Sequence, residues 1–168
     1  MAGLDVDWGG SIHVRLGFRD QGWLLSSVRS LVVSMCRVYL GSEDVSQQLV
    51  TAVQELLENL VKYSESDCSA LDFELLLVDG QPTVRLGTEN DASAAHLDEA
   101  QRVLERIISA PDPLELYRAL IATSGDHSGS GLGLARLRAE AGMTLSYGIR
   151  DGRLRLEASR PVLARGES

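Results

Sequence analysis

The stretch Gly129-Ser130-Gly131-Leu132-Gly133-Leu134-Ala135 is the most informative part of the chain. Glycine has no Cβ, so three glycines at alternate positions let the backbone approach a ligand closely and adopt positive φ. The mostly apolar run that follows, up to Ala141, predicts a helix that starts at this loop. The N–H groups and the positive end of such a helix favour phosphate. A tight turn into a closely packed helix would use the same residues, so the loop alone leaves both interpretations open.

Length and composition indicate one soluble globular domain. The chain has 168 residues, of which 44% are hydrophobic and 24% charged, enough for one core and short for two. The formal net charge of -8 argues against a nucleic-acid surface and against anionic membranes. Cys36 and Cys68 show no metal-ligand spacing, and no signal peptide or membrane-spanning run is recognisable. We therefore expect a cytoplasmic protein without nucleic-acid or membrane partners.

Hydrophobic periodicity predicts one α+β domain over residues 11–160, between a loose N-terminus (1–10) and a C-terminal tail (161–168). Strands are predicted over 11–18, 71–78, 83–86, 143–149 and 154–158, and helices over 24–39, 43–64, 92–108, 114–121 and 132–141. A turn over 79–82 and the pair Asp151-Gly152 predict two hairpins. This order of elements predicts a two-layer α/β sandwich, with a mixed or antiparallel sheet and helices on one face.

The second predicted helix carries a further motif, Glu55-Leu56-Leu57-Glu58-Asn59-Leu60-Val61-Lys62-Tyr63. Glu55, Asn59 and Lys62 stand at i, i+4 and i+7 and so share one helical face. An amide oxygen can ligate Mg²⁺, a carboxylate can order water or accept a proton, and an ammonium can neutralise phosphate. A solvated face with a Glu58–Lys62 ion pair would explain the same residues. Asn59 favours the functional interpretation, because asparagine is a poor residue within a helix.

The two motifs, about 70 positions apart, together resemble the GHKL (histidine kinase-like) superfamily of ATP-binding domains. That superfamily includes sensor histidine kinases, gyrase B subunits and anti-sigma-factor serine kinases. Glu55-x-x-x-Asn59-x-x-Lys62-Tyr63 looks like its N box, and Gly129-x-Gly131-Leu132-Gly133-Leu134 looks like its second glycine box. The resemblance implies a Bergerat-type fold and a site for ATP and Mg²⁺.

The resemblance also implies roles for the N-box residues. Asn59 would hold Mg²⁺, Glu55 would act as the general base or position a water molecule, and Lys62 would contact phosphate. Tyr63 would either contribute to the nucleotide site or pack at the end of the helix.

For the glycine box, the resemblance implies a backbone that wraps the phosphates. Gly129, Gly131 and Gly133 would supply that backbone. Leu132 and Leu134 would close the site or support the core.

The family's adenine-binding box, Asp-x-Gly-x-Gly, is degenerate in this chain. Thr88 stands at the position of the aspartate, and neither glycine is present. A threonine hydroxyl can contact adenine directly or through water, but it lacks the charge and reach of a carboxylate. Asp91 would take the place of the family's aspartate only if the loop that begins at Thr88 is longer than the alignment with the family gives it. Otherwise Asn90 or Asp91 caps the next helix.

Three functions follow from this pattern. The first is a MgATP-dependent serine/threonine protein kinase of a bacterial partner-switching pathway, similar to the SiaB-like kinases, with a small anti-sigma-antagonist-like protein as its substrate. The second is a degenerate interaction module of the same fold that binds its partner with weak or no nucleotide binding. The third is a sensor that binds ATP without transferring phosphate. In stand-alone members of the family, the first strand and helix are the place for docking or homodimer formation.

Overall fold

The computed structural model describes residues 11–18, 22–40, 43–63, 69–123 and 131–162. The predicted loose N-terminus and residues 163–168 of the predicted tail lie outside these ranges. The elements, in chain order, are β1 (Ile12–Phe18), α1 (Gly22–Tyr39), α2 (Glu43–Tyr63), β2 (Ser69–Val78), β3 (Gln81–Asp91), α3 (Ala94–Ser109), α4 (Pro113–Thr123), α5 (Leu132–Ala139), β4 (Thr144–Arg150) and β5 (Arg153–Pro161). In the described ranges, no helix is both long and apolar enough to cross a lipid bilayer.

The five strands form one sheet in the order β1-β2-β3-β5-β4, and all four pairings are antiparallel. Two-residue turns close both hairpins. Asp79 and Gly80 have φ of 50° and 79°, and Asp151 and Gly152 have φ of 52° and 74°. Turns with two positive φ angles match the twist of antiparallel strands, which is why Asp-Gly occurs at both positions. The first turn is therefore shorter than the predicted 79–82.

One face of the sheet and the helices share a single core. Alternate strand residues such as Leu75, Leu86 and Ala158 are fully buried on that face, as are Leu56 of α2 and Leu137 of α5. Burial of apolar residues at alternate strand positions is the expected result where helices cover that face. The two-layer α/β sandwich predicted from the sequence is confirmed.

The third strand is longer than predicted. Residues 88–91 were expected to form a loop, but they continue β3, where Thr88 pairs with Leu71 of β2 and with Leu156 of β5. The apolar alternation stops at Leu86 because the next two core-facing positions are Thr88 and Asn90, which are polar yet only 4% exposed. A pattern based on hydrophobicity ends the strand too early for this reason.

The third helix begins at a different cap from the one expected. Ser93 is the N-cap of α3, and its hydroxyl accepts a hydrogen bond from the backbone N–H of His96 at 3.3 Å. The expectation that Asn90 or Asp91 caps this helix was wrong, because both belong to β3. Asp91 instead accepts a hydrogen bond from Arg153 Nε at 2.6 Å.

Candidate functional site

Two adjoining clefts lie where α2 packs near the start of α5. They share Asn59 and Gly131 as lining residues. The first, the apolar cleft, is lined by Asn59, Leu60, Thr88, Asn90, Ala100, Val103, Leu104, Gly131, Leu134, Leu154 and Leu156. The second, the polar cleft, is lined by Glu55, Glu58, Asn59, Lys62, Tyr117, Gly131, Leu132, Gly133 and Arg136. With their open mouths included, they contain about 450 and 670 Å³ of empty space.

The polar cleft brings together the two motifs found in the sequence. Glu55, Asn59 and Lys62 line it from α2, as expected for residues on one helical face. Gly131 and Gly133 line it from the opposite side, at the start of α5. Gly129 lies outside the described residues. For Tyr63 the described structure extends only to its backbone, at the last position of α2.

The side chain of Asn59 is held by its amide nitrogen. Its amide nitrogen donates to the backbone carbonyl of Glu55, one turn earlier, at 2.7 Å. That hydrogen bond fixes the side chain by its nitrogen end. The amide oxygen is the atom that ligates cations. Asn59 therefore fits a role in holding Mg²⁺ at the junction of the two clefts.

Glu55 is held by a residue that sequence reasoning missed. Arg136 Nη2 donates to Glu55 Oε1 at 2.5 Å, and the Glu55 side chain is 17% exposed. Burial raises the pKa of this carboxyl, Arg136 opposes the rise, and the nearby Glu58 adds to it. Arg136 lies within α5, one turn beyond Gly133, and nothing in the local pattern distinguishes it from Arg138.

The glycines at the start of α5 are required by their surroundings. Gly131 is the N-cap with a φ of 93°, in the left-handed region that favours glycine. A Cβ on Gly131 would lie 2.6 Å from Cγ1 of Val103, and a Cβ on Gly133 would lie 1.7 Å from Oε2 of Glu55. Leu134 is buried against the apolar cleft, and Leu132 lines the polar one.

The floor of the apolar cleft carries two polar side chains. Thr88 and Asn90 are neighbours on the core face of β3, because side chains two positions apart in a strand point the same way. The sequence predicted a site role for Thr88 only, since Asn90 was assigned to a helix cap. Asp91 lies one position further, on the opposite face of the sheet, and does not line this cleft.

Helix α4 contributes Tyr117 to the polar cleft. Its hydroxyl lies near Arg136 and Glu140; burial is the largest cause of the raised pKa of Tyr117, and Glu140 adds to it. No group of three or more His, Cys, Asp or Glu side chains suited to a metal ion occurs in the described part of the chain. A Mg²⁺ ion here would therefore depend on Asn59, water and ligand oxygens, which is a common arrangement for this ion.

The fold is similar to that of a known structure, whereas no protein-family model and no curated protein sequence matches the chain. One similar structure is a chain of the SiaB–SiaC complex from Pseudomonas aeruginosa. The TM-score is 0.57, with 15% sequence identity over 89% of each chain. At this identity the likeness shows a shared fold.

Proposed function

We propose that this protein is a MgATP-dependent serine/threonine protein kinase of a bacterial partner-switching pathway. One observation carries the proposal: the polar and apolar clefts adjoin at Asn59 and Gly131. ATP has the same division, with charged phosphates at one end and an apolar, hydrogen-bonding base at the other. The resemblance of both motifs to the GHKL boxes supports the same assignment.

The polar cleft would take the triphosphate. Asn59 would bind Mg²⁺, which neutralises phosphate charge, and Lys62 would contact a phosphate oxygen. Backbone N–H groups at the start of α5 would donate to the phosphates.

The apolar cleft would take the adenine base. Thr88 and Asn90 would supply the hydrogen bonds that the family's aspartate supplies elsewhere. Both side chains are buried at the floor of the cleft, where hydrogen bonds that discriminate between bases are most effective.

Glu55 would serve as the general base of the transfer. Its carboxylate would accept the proton of the attacking serine or threonine hydroxyl. A bond forms between that oxygen and the γ-phosphorus, the bond from phosphorus to the bridging oxygen breaks, and ADP leaves. A pKa raised by burial makes the carboxylate a better proton acceptor than an exposed one.

A small protein is the proposed substrate. A chain with a similar fold belongs to a complex of SiaB with SiaC, which supports a protein partner for this chain as well. The residue of the partner that accepts the phosphate would have to reach Glu55 through the open side of the polar cleft.

The second candidate is an interaction module that no longer uses nucleotide. Two observations favour it: Glu55 is engaged by Arg136, and Thr88 replaces the adenine-binding aspartate. In that case MgATP would not bind, and partner binding would be independent of it.

Titration of MgATP by calorimetry separates these functions. We expect the wild type to bind and Asn59→Ala to weaken binding about tenfold or more, because the metal loses a protein ligand. Gln47→Ala, an exposed amide on the same helix, is the matched control and should bind like the wild type. If the wild type shows neither heat nor an ATP-dependent rise in Tm, the kinase and sensor proposals are both wrong.

Transfer is then tested with labelled ATP and candidate partners. Glu55→Gln should abolish labelling of the partner while MgATP binding is largely retained. Equal loss of labelling and binding would contradict the general-base role. Binding without labelling of any partner would favour the sensor.

A further inference from the structure

Along one edge of the Arg136 guanidinium, only one of the two nitrogens has a hydrogen-bond acceptor. Its Nη2 donates to Oε1 of Glu55 at 2.5 Å, while in the described structure its Nε is buried without a hydrogen-bond partner. Nε and Nη2 form the fork with which arginine binds oxyanions through two parallel hydrogen bonds. Because buried N–H groups nearly always have acceptors, this edge indicates a place for an acceptor besides Glu55.

The other oxygen of Glu55 occupies the start of α5. Oε2 lies 1.7 Å from the position a Cβ on Gly133 would take, in the first turn of the helix. The positive end of a helix favours an anion there. The Glu55 carboxylate thus lies beside the first turn of the helix, close to where a phosphate of the proposed nucleotide would bind, and two neighbouring anions repel each other.

The charges of the polar cleft are balanced without a ligand. Glu55 and Glu58 contribute two carboxylates, and Lys62 and Arg136 contribute two cations. The side chains of the cleft therefore add net attraction for a polyphosphate when a cation turns from a carboxylate to the ligand. Arg136 is placed to do so, because its side chain is 34% exposed and lines the cleft.

We propose that Arg136 exchanges partners: it binds Glu55 while the polar cleft is empty and the terminal phosphate of ATP when the nucleotide is bound. The inference rests on the proposed function for the identity of the ligand. The exchange frees the Glu55 carboxylate for the incoming hydroxyl at the moment the γ-phosphate is in place. It also makes Arg136 a specificity-determining residue that favours ATP over ADP.

Binding constants for three probes test the exchange: MgATP, MgADP and metal-free tripolyphosphate. Arg136→Gln should weaken ATP and tripolyphosphate about tenfold or more, as expected for the loss of charge-assisted hydrogen bonds, and should weaken ADP much less. Arg136→Lys keeps the charge without the fork and should give intermediate values. Arg118→Gln, an exposed arginine of α4, makes the same change in net charge and should behave like the wild type.

Glu55→Gln should change the affinity for tripolyphosphate in the opposite direction. With the competing carboxylate neutralised, tripolyphosphate should bind several-fold more tightly than it does to the wild type. A structural role for the ion pair alone would not produce opposite effects from its two partners.

The outcomes distinguish this inference from the proposed function. If wild type binds ATP, and Arg136→Gln weakens ATP and ADP equally or not at all, the partner exchange is wrong and the nucleotide site stands. If wild type binds tripolyphosphate but not ATP, the kinase proposal is wrong. The affinities of the Arg136 variants for tripolyphosphate then still decide the role of Arg136. If neither ATP nor tripolyphosphate binds, the kinase proposal and the partner exchange are both wrong.

Discussion

At the scale of single residues, two glycines of one loop are glycine for different reasons. Gly131 needs a left-handed backbone and also faces Val103 at a distance that excludes a methyl group. Gly133 has an ordinary helical position, but the carboxylate of Glu55 lies against it. The first requirement concerns the stability of the fold, and the second concerns the site.

Replacement of Gly131 tests the stability requirement. Gly131→Ala should lower the free energy of unfolding by about 2–3 kcal/mol, from backbone strain plus the clash with Val103. Gly142 has a φ of 60° and nothing within 4 Å of its Cβ position, so Gly142→Ala should cost only about 1 kcal/mol. Urea denaturation of the two variants measures the difference, and equal costs would contradict a steric role of Val103.

Site residues that share one helix were easier to predict than site residues that come from other elements of the fold. The spacing of Glu55, Asn59 and Lys62 placed them on a common face, and the structure shows them in one cleft. Arg136 and Asn90 were missed. An arginine in an amphipathic helix and an asparagine beyond the last apolar strand residue carry no local signal of what they contact.

At the scale of elements, the extension of β3 moves the start of the next helix. Once Asn90 and Asp91 belong to the strand, the cap falls to Ser93, just after the sheet ends. Ser93 has extended backbone angles and its hydroxyl accepts from the third residue on, which is the usual N-cap geometry. The same shift brings Thr88 and Asn90 onto the floor of the apolar cleft.

The cap can be tested directly. Ser93→Ala should lower the free energy of unfolding by about 1 kcal/mol, because the N–H of His96 loses its acceptor. Ser109→Ala, at the exposed other end of α3, should change it by less than about 0.5 kcal/mol. Chemical denaturation followed by circular dichroism gives both values. If both variants unfold like the wild type, the cap contributes nothing to stability.

At the scale of the whole molecule, a network of charges joins strands on the face of the sheet opposite the core. Asp72 of β2 is 2% exposed and accepts from Arg15 of β1 at 3.0 Å and Arg155 of β5 at 3.2 Å. Glu89 of β3 pairs with Arg15 at 3.1 Å and with Arg153 of β5 at 2.8 Å. A carboxylate buried this deeply is stable only with such partners.

Removal of the central charge tests the network. Asp72→Asn should lower the free energy of unfolding by about 1–3 kcal/mol, since two arginines lose a shared acceptor but remain exposed enough to regain water. Asp98→Asn, an exposed aspartate of α3, should be within about 0.5 kcal/mol of the wild type. An unchanged unfolding midpoint for Asp72→Asn would show that the network adds no net stability.

Sequence by itself determined the elements and their class. Hydrophobic periodicity and turn residues act within a few positions, so strands, helices and the two-layer arrangement could be predicted. It also placed Glu55, Asn59 and Lys62 on one helical face. Only the tertiary structure decided that β3 runs on to Asp91 and that Arg136 meets Glu55 across 81 positions of chain. Such contacts depend on how α2 packs against α5, and no local pattern encodes that packing.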